Sequence, residues 1–256
     1  MRVALVQHAP VWEDRDATLA ELDPVLAGAA ASGGRLLVLP ELFATGFSMA
    51  TDRIAEPVDG PTVAWLRERA AEHDVWLAGS LAERRDGDTR PRNVCVLVAP
   101  DGTVHRYAKQ HPFTYAGEGE AYLAGDHDLT VDVDGVRVTP TVCFDLRFPE
   151  QYRATVDDTD AYLVVASWPA RRAAHWRALL RARAIENQAY VVGVNRVGRD
   201  GNDVDHAGDS VVHDPNGDVL VQAGAVETVL VVDLDAEVVA TARERLPFLR
   251  DRRPRA

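Results

Sequence analysis

The sequence predicts a mixed α/β fold with a layered sheet core, and three observations carry the prediction. Short apolar, β-branched runs alternate with longer segments of helical periodicity. Two turn signals, Asp134-Gly135 and Asn216-Gly217, each join neighbouring runs as a hairpin, because these pairs tolerate positive φ. Finally, runs such as L-L-V-L (36–39), Y-L-V-V-A (162–166) and Y-V-V-G-V (190–194) are apolar without alternation, as expected of strands covered on both faces.

Taken in order, the β-branched and apolar runs place strands at 3–7, 35–39, 75–81, 94–99, 104–107, 129–133, 136–142, 161–166, 189–195, 209–213, 219–222 and 228–233. The 3.6-residue pattern places helices at 17–31, 62–73, 149–155, 174–184 and 236–245. In the helix at 174–184 and just beyond it, Trp176, Leu179, Leu180, Ala184 and Ile185 recur at helical spacing and read as a core or dimer-interface stripe. No linker, low-complexity tract or short repeat interrupts the 256 residues, so one domain is expected, with a polar tail over about 249–256.

Composition narrows the function. A net charge of −12 leaves no basic patch to neutralise phosphates, which argues against a nucleic-acid binder. No apolar run approaches membrane-spanning length. The start M-R-V-A-L-V-Q-H is too short for a signal-peptide core and reads as the first strand. Cys95 and Cys143 could form at most one disulfide, and without an export signal both are expected reduced, in a soluble cytoplasmic protein.

Lys109 is the only lysine; the other 27 of the 28 Lys and Arg residues are arginine. A compact ammonium fits a tight pocket and can shift its pKa, whereas a guanidinium is broad and always charged. Lys109 follows the strand at 104–107, Glu41 follows the strand at 35–39, and Cys143 follows the strand at 136–142. Strand carboxyl ends are where α/β sheets build sites. Singly each residue reads as loop or core; together they suggest acyl transfer. A buried carboxylate takes the thiol proton, the thiolate attacks a carbonyl, and the ammonium with the Phe144 backbone N–H holds the resulting oxyanion.

The blocks L-P-E-L-F-A-T-G-F (39–47), Y-A-K-Q-H-P-F (107–113) and T-V-C-F-D-L-R-F-P-E (141–150) resemble those of the nitrilase (carbon–nitrogen hydrolase) superfamily. The similarity runs from the first strand to about Phe248. It implies a four-layer αββα sandwich with an internal pseudo-twofold, usually paired as a homodimer. It implies Glu41 as general base, Lys109 as oxyanion stabiliser and Cys143 as nucleophile, with Glu118 as a supporting carboxylate in preference to Glu120. The segment 167–198 and the G-D-S at 208–210 resemble the bacterial ω-amidase group, whose members hydrolyse 2-oxoglutaramate and 2-oxosuccinamate without metal or cofactor. Pro112 departs from the leucine usual at its position.

Other branches share the same three residues, so deaminated glutathione, an N-carbamoyl compound or a nitrile are alternative substrates, and a non-catalytic scaffold is the alternative class. Phe43, Phe47, Tyr115 and Trp168 either shape a small pocket or pack. Arg147 and Arg172 are the candidates for holding a substrate carboxylate. Asp203, Asp205, His206 and Asp209 match no metal-loop spacing and read as a solvated turn. His111 and His175 are weaker partners for Cys143 than Glu41, with His111 a support for the pocket.

Overall fold

The structure, a computed structural model, describes residues 1–253. The first half of the chain contributes β1 (Arg2–Gln7), α1 (Arg15–Ala31), β2 (Leu36–Val38), α2 (Thr51–Ile54), β3 (Glu56–Pro57), α3 (Pro61–His73), β4 (Trp76–Arg84), β5 (Arg92–Val98) and β6 (Val104–Ala108). After these come α4 (Glu118–Ala121), β7 (Val131–Val133), β8 (Val136–Val142), α5 (Pro149–Thr155), β9 (Ala161–Ala166), α6 (Ala173–Asn187) and β10 (Tyr190–Asn195). The chain closes with β11 (Val197–Arg199), β12 (Asp205–Ala207), β13 (Val211–His213), β14 (Val219–Gln222), β15 (Thr228–Asp233) and α7 (Ala236–Arg245).

Two sheets result. One has the order β15-β1-β2-β4-β5-β6, with β3 added beside β4; the other has the order β14-β13-β10-β9-β8-β7. Each is built on three parallel strands, β1, β2 and β4 in the first and β8, β9 and β10 in the second. Antiparallel strands flank both sets.

The strand pleat sorts side chains between two cores, which is why these strands show no hydrophobic alternation. Val3, Leu5, Leu36, Val38, Cys95, Leu97 and Tyr107 pack with Val131, Val138, Val142 and Val164 of the second sheet. Their neighbours Ala4, Val6, Leu37, Leu39, Val94, Val96 and Val98 pack instead with Leu22 and Leu26 of α1 and Val63 and Leu66 of α3. On the second sheet, α6 lies so close to β10 that a Cβ at Gly193 would sit 2.6 Å from Leu180 and 3.0 Å from Trp176. The order helix, sheet, sheet, helix is the four-layer αββα sandwich.

Several details depart from the sequence reading. The helix expected at 174–184 continues to Asn187, because its last inward positions are polar. Arg183 is buried and donates to the Leu146 carbonyl, and Asn187 donates to the Arg183 carbonyl. Ile185 leaves the stripe and is 43 % exposed, whereas Trp176, Leu180 and Ala184 are fully buried. The Asp134-Gly135 turn uses positive φ at both residues, but at the second hairpin only Gly217 does so, and a register shift at Val212/His213 absorbs the difference.

The turn expected to be solvated is correspondingly ordered. β11 and β12 pair as a ribbon, and His206 and Asp209 are buried. At the C-terminus, Arg252 bonds the Leu249 carbonyl and, at 2.6 Å, the Asp157 carboxylate. Residues 254–256 of the expected tail lie outside the described residues. No helix among those described is long and apolar enough to cross a membrane.

Candidate active site

Three strand carboxyl ends meet at one end of the sandwich. Past β2, Leu39 and Pro40 lead to Glu41, which is fully buried. The segment is held to β4 by Leu39 N–H to the Ala78 carbonyl (2.7 Å) and Leu42 N–H to Ser80 Oγ (2.8 Å). Lys109 immediately follows β6. Its N–H donates to the Asn93 carbonyl (2.9 Å) and its carbonyl accepts from Gly125 N–H (2.8 Å). Cys143 immediately follows β8, at the head of a 3₁₀ turn, with φ +47°. That value is sparsely populated for a residue with a Cβ and costs roughly 1–3 kcal/mol, so the surroundings must enforce it.

The polar groups are completely sealed. Lys109 Nζ donates to Glu41 Oε1 at 2.8 Å and to the two Glu118 oxygens at 2.9 and 2.8 Å. Asn93 Nδ2 bridges the same two carboxylates, at 2.9 Å to Glu41 and 3.2 Å to Glu118. Ser167 N–H donates to Glu41 Oε2 (2.8 Å), and Phe113 N–H donates to Glu118 Oε2 (2.5 Å). Glu118 sits in α4 and is buried, whereas Glu120 on the same turn is exposed. Phe47 places its ring 5.4 Å from Lys109 Nζ.

These partners set the protonation states. Burial works to lower the Lys109 pKa, but the Glu118 and Glu41 carboxylates outweigh it and hold the ammonium well above the ordinary lysine value. Burial raises Glu41 against the pull of Lys109. Burial, followed by the Glu41 charge, pushes the Cys143 thiol well above its ordinary value, and Lys109 only partly opposes this. The resting arrangement is therefore a neutral thiol beside a carboxylate of raised basicity, and not a standing thiolate.

A cavity of about 310 Å³ opens above Cys143. Phe47, Phe113, Phe144 and Trp168 line it, and Tyr115, 80 % exposed, stands at its mouth. Phe43 does not reach it. The ring is fully buried on the helix side of the first sheet, 6.4 Å from Trp65, because Phe43 lies past the turn that aims Glu41 inward. Pro112 is also off the wall, although Phe113 is on it.

Arg147 and Arg172 both line the cavity, joined by Arg171, which the sequence reading missed. The Arg147 guanidinium lies 4.9 Å from the Trp168 ring and bonds His175 Nδ1 at 3.1 Å. The Arg172 guanidinium lies 5.1 Å from the Phe113 ring. Burial and then Arg171 lower its pKa, and among the described residues Arg172 forms no salt bridge.

Other candidates have different partners. The His111 ring lies 2.9 Å from Asp145 and is stacked 3.7 Å from the Phe148 ring, and the His175 ring faces Arg147. Asp203 pairs with Arg199 and Asp209 with Arg177, and His206 bonds the Val204 carbonyl, so the acidic loop does not converge. Asn93, Ser167 and Asp145 were not singled out from the sequence. Asn93 left a signal, as a polar residue opening an apolar strand, but Ser167 acts through its main-chain N–H, which no side-chain pattern records.

The carbon-nitrogen hydrolase family profile matches residues 2–244. The chain is 42 % identical to the omega-amidase YafV of Yersinia enterocolitica, over 98 % of this chain and 96 % of the relative. It is 36 % identical to the 2-oxoglutaramate amidase of Bacillus subtilis, over 84 % of each chain. Among solved structures, XC1258 of Xanthomonas campestris, a CN-hydrolase superfamily protein with an arsenic adduct in its active site, superposes with a TM-score of 0.95. It shares 39 % identity and covers 100 % of this chain and 98 % of its own.

Proposed function

The chain belongs to the carbon-nitrogen hydrolase family, and from that membership we propose that it is an ω-amidase, releasing ammonia from the terminal amide of 2-oxoglutaramate and 2-oxosuccinamate through a thioester on Cys143. The observation that carries the reading is a buried carboxylate, Glu41, that accepts from the Lys109 ammonium at 2.8 Å and whose charge raises the Cys143 thiol.

In the proposed sequence Glu41 takes the Cys143 proton as Sγ attacks the amide carbon, forming the C–S bond. Lys109 Nζ and the Phe144 N–H hold the oxyanion. The C–N bond then breaks as Glu41 returns the proton to nitrogen, releasing ammonia and leaving the thioester. Water, deprotonated by Glu41, attacks the thioester carbon. The C–S bond breaks, the thiol regains its proton, and the 2-oxo dicarboxylate leaves. Glu118 supports both steps by neutralising and orienting Lys109. No metal or cofactor enters.

The substrate class is supported by the arginine wall. In a chain of net charge −12, three arginines, Arg147, Arg171 and Arg172, line the cavity against one carboxylate, Asp200, as expected of a site for an anionic substrate group. Phe47, Trp168 and Tyr115 would confine the short carbon chain. We extend the proposal to a cytoplasmic homodimer, which light scattering on the purified protein tests by mass.

The deciding experiment is ammonia release from 2-oxoglutaramate by the wild type, Cys143→Ala and Lys109→Arg. Cys143→Ala should lose at least about a thousandfold in kcat. Lys109→Arg should lose at least about a hundredfold, because a guanidinium cannot occupy the ammonium's place between two carboxylates. A wild type silent on this substrate, but active on another amide in a panel, would discard the substrate and keep the hydrolase.

A further inference from the structure

Asp145 is fully buried, lies two residues past Cys143, and has no place in the proposed proton transfers. Its carboxylate nevertheless accepts four hydrogen bonds. Oδ2 accepts from Tyr107 Oη (2.8 Å) and from Val142 N–H (2.9 Å). Oδ1 accepts from His111 N–H (2.9 Å) and lies 2.9 Å from His111 Nδ1. Gln151 Nε2 donates to Tyr107 Oη at 2.5 Å, which leaves the tyrosine proton directed at Asp145.

Placed on the chain, these four contacts bracket the reacting groups. Val142 is the residue before Cys143, and Tyr107 and His111 stand two residues before and two residues after Lys109. One carboxylate thus ties the elbow carrying the thiol to the segment carrying the ammonium. The His111 ring, stacked on Phe148, closes the loop at the far end of the elbow. The positive φ of Cys143 needs such a restraint.

The geometry points to Asp145 as a positioning residue that fixes the Cys143 thiol relative to the Lys109 ammonium, acting through Val142, Tyr107 and His111. An asparagine here has one acceptor oxygen. Its NH₂ would face N–H or O–H donors on one side, so one of the two tethers must open. The inference rests on reading Cys143 and Lys109 as the reacting pair.

The test is steady-state ammonia release with thermal unfolding of Asp145→Asn, Tyr107→Phe, His111→Ala and the Tyr107→Phe/His111→Ala double variant, beside Cys143→Ala. Asp145→Asn should lower kcat on the order of a hundredfold with KM within about threefold, the size expected of an ångström-scale misplacement. Tyr107→Phe and His111→Ala should each cost less. Because both act through one carboxylate, the double variant should differ measurably from the product of the two. A structural role alone would lower the unfolding midpoint and leave kcat per folded molecule unchanged.

Wild-type kcat in folded Asp145→Asn overturns the inference. If that variant does not fold, wild-type kcat in both Tyr107→Phe and His111→Ala overturns it equally. Ammonia release surviving in Cys143→Ala would instead remove the underlying reading, which separates the two failures.

Discussion

Arg172 is half-buried, lies 5.1 Å from the Phe113 ring on the wall of the cavity above Cys143, and forms no salt bridge among the described residues. A substrate carboxylate would supply the missing counter-charge. Charge-assisted hydrogen bonds contribute about 1.5–3 kcal/mol. Arg172→Gln should therefore raise KM for 2-oxoglutaramate roughly 10- to 150-fold with little change in kcat. A short neutral amide assayed in parallel should be indifferent to the change, and an unaltered KM would move the carboxylate to Arg147 or Arg171. At this scale the sequence was informative about which side chains meet, as for Glu41, Lys109, Cys143 and Glu118. It missed the main-chain donors at Ser167 and Phe113, whose N–H groups hold the two carboxylates.

Among the elements, the segment after β6 is shaped as much by a glycine as by its reactive residue. Gly125 donates its N–H to the Lys109 carbonyl, and a Cβ there would lie 2.2 Å from the Ala108 carbonyl oxygen. Backbone cannot yield as a flexible side chain does, so Gly125→Ala should destabilise the fold by about 3 kcal/mol and lower kcat by displacing Lys109. Urea unfolding and the ammonia assay check the two halves, and an unchanged midpoint would show that the strand end can move. Four strands were legible to the residue: β8, β9, β14 and β15 occupy the ranges expected. The single turns α2 and α4 and the β11–β12 ribbon are too short to show a period. Their form is set by tertiary partners such as Phe113 and Pro169, and one of them carries Glu118.

Over the whole molecule, two buried histidines link stability to pH. Burial, reinforced by Arg196, pushes His8 down to about 3 and His206 down to about 4, against an ordinary value of 6.5. Between those values the unfolded chain binds protons that the native state refuses. The two residues cost no stability above pH 6.5, and as pH falls toward 4 protonation of the unfolded chain lowers stability by about 3 kcal/mol for each. The urea midpoint should drop between pH 7 and 4.5, and a midpoint constant over that range would refute the assignment. The lone lysine has a further consequence, for the molecule's outside. Lys109 is 1 % exposed, so the folded surface presents no lysine amine. Reagents that acylate, carbamylate or cross-link amines meet only the N-terminus, itself bonded to the Leu234 carbonyl. The folded protein should therefore carry at most one amide-linked acyl group, at Met1, after an excess of an activated ester, and a second, at Lys109, only when unfolded. Amine chemistry that coats most lysine-rich enzymes would pass over all but the N-terminus of this one.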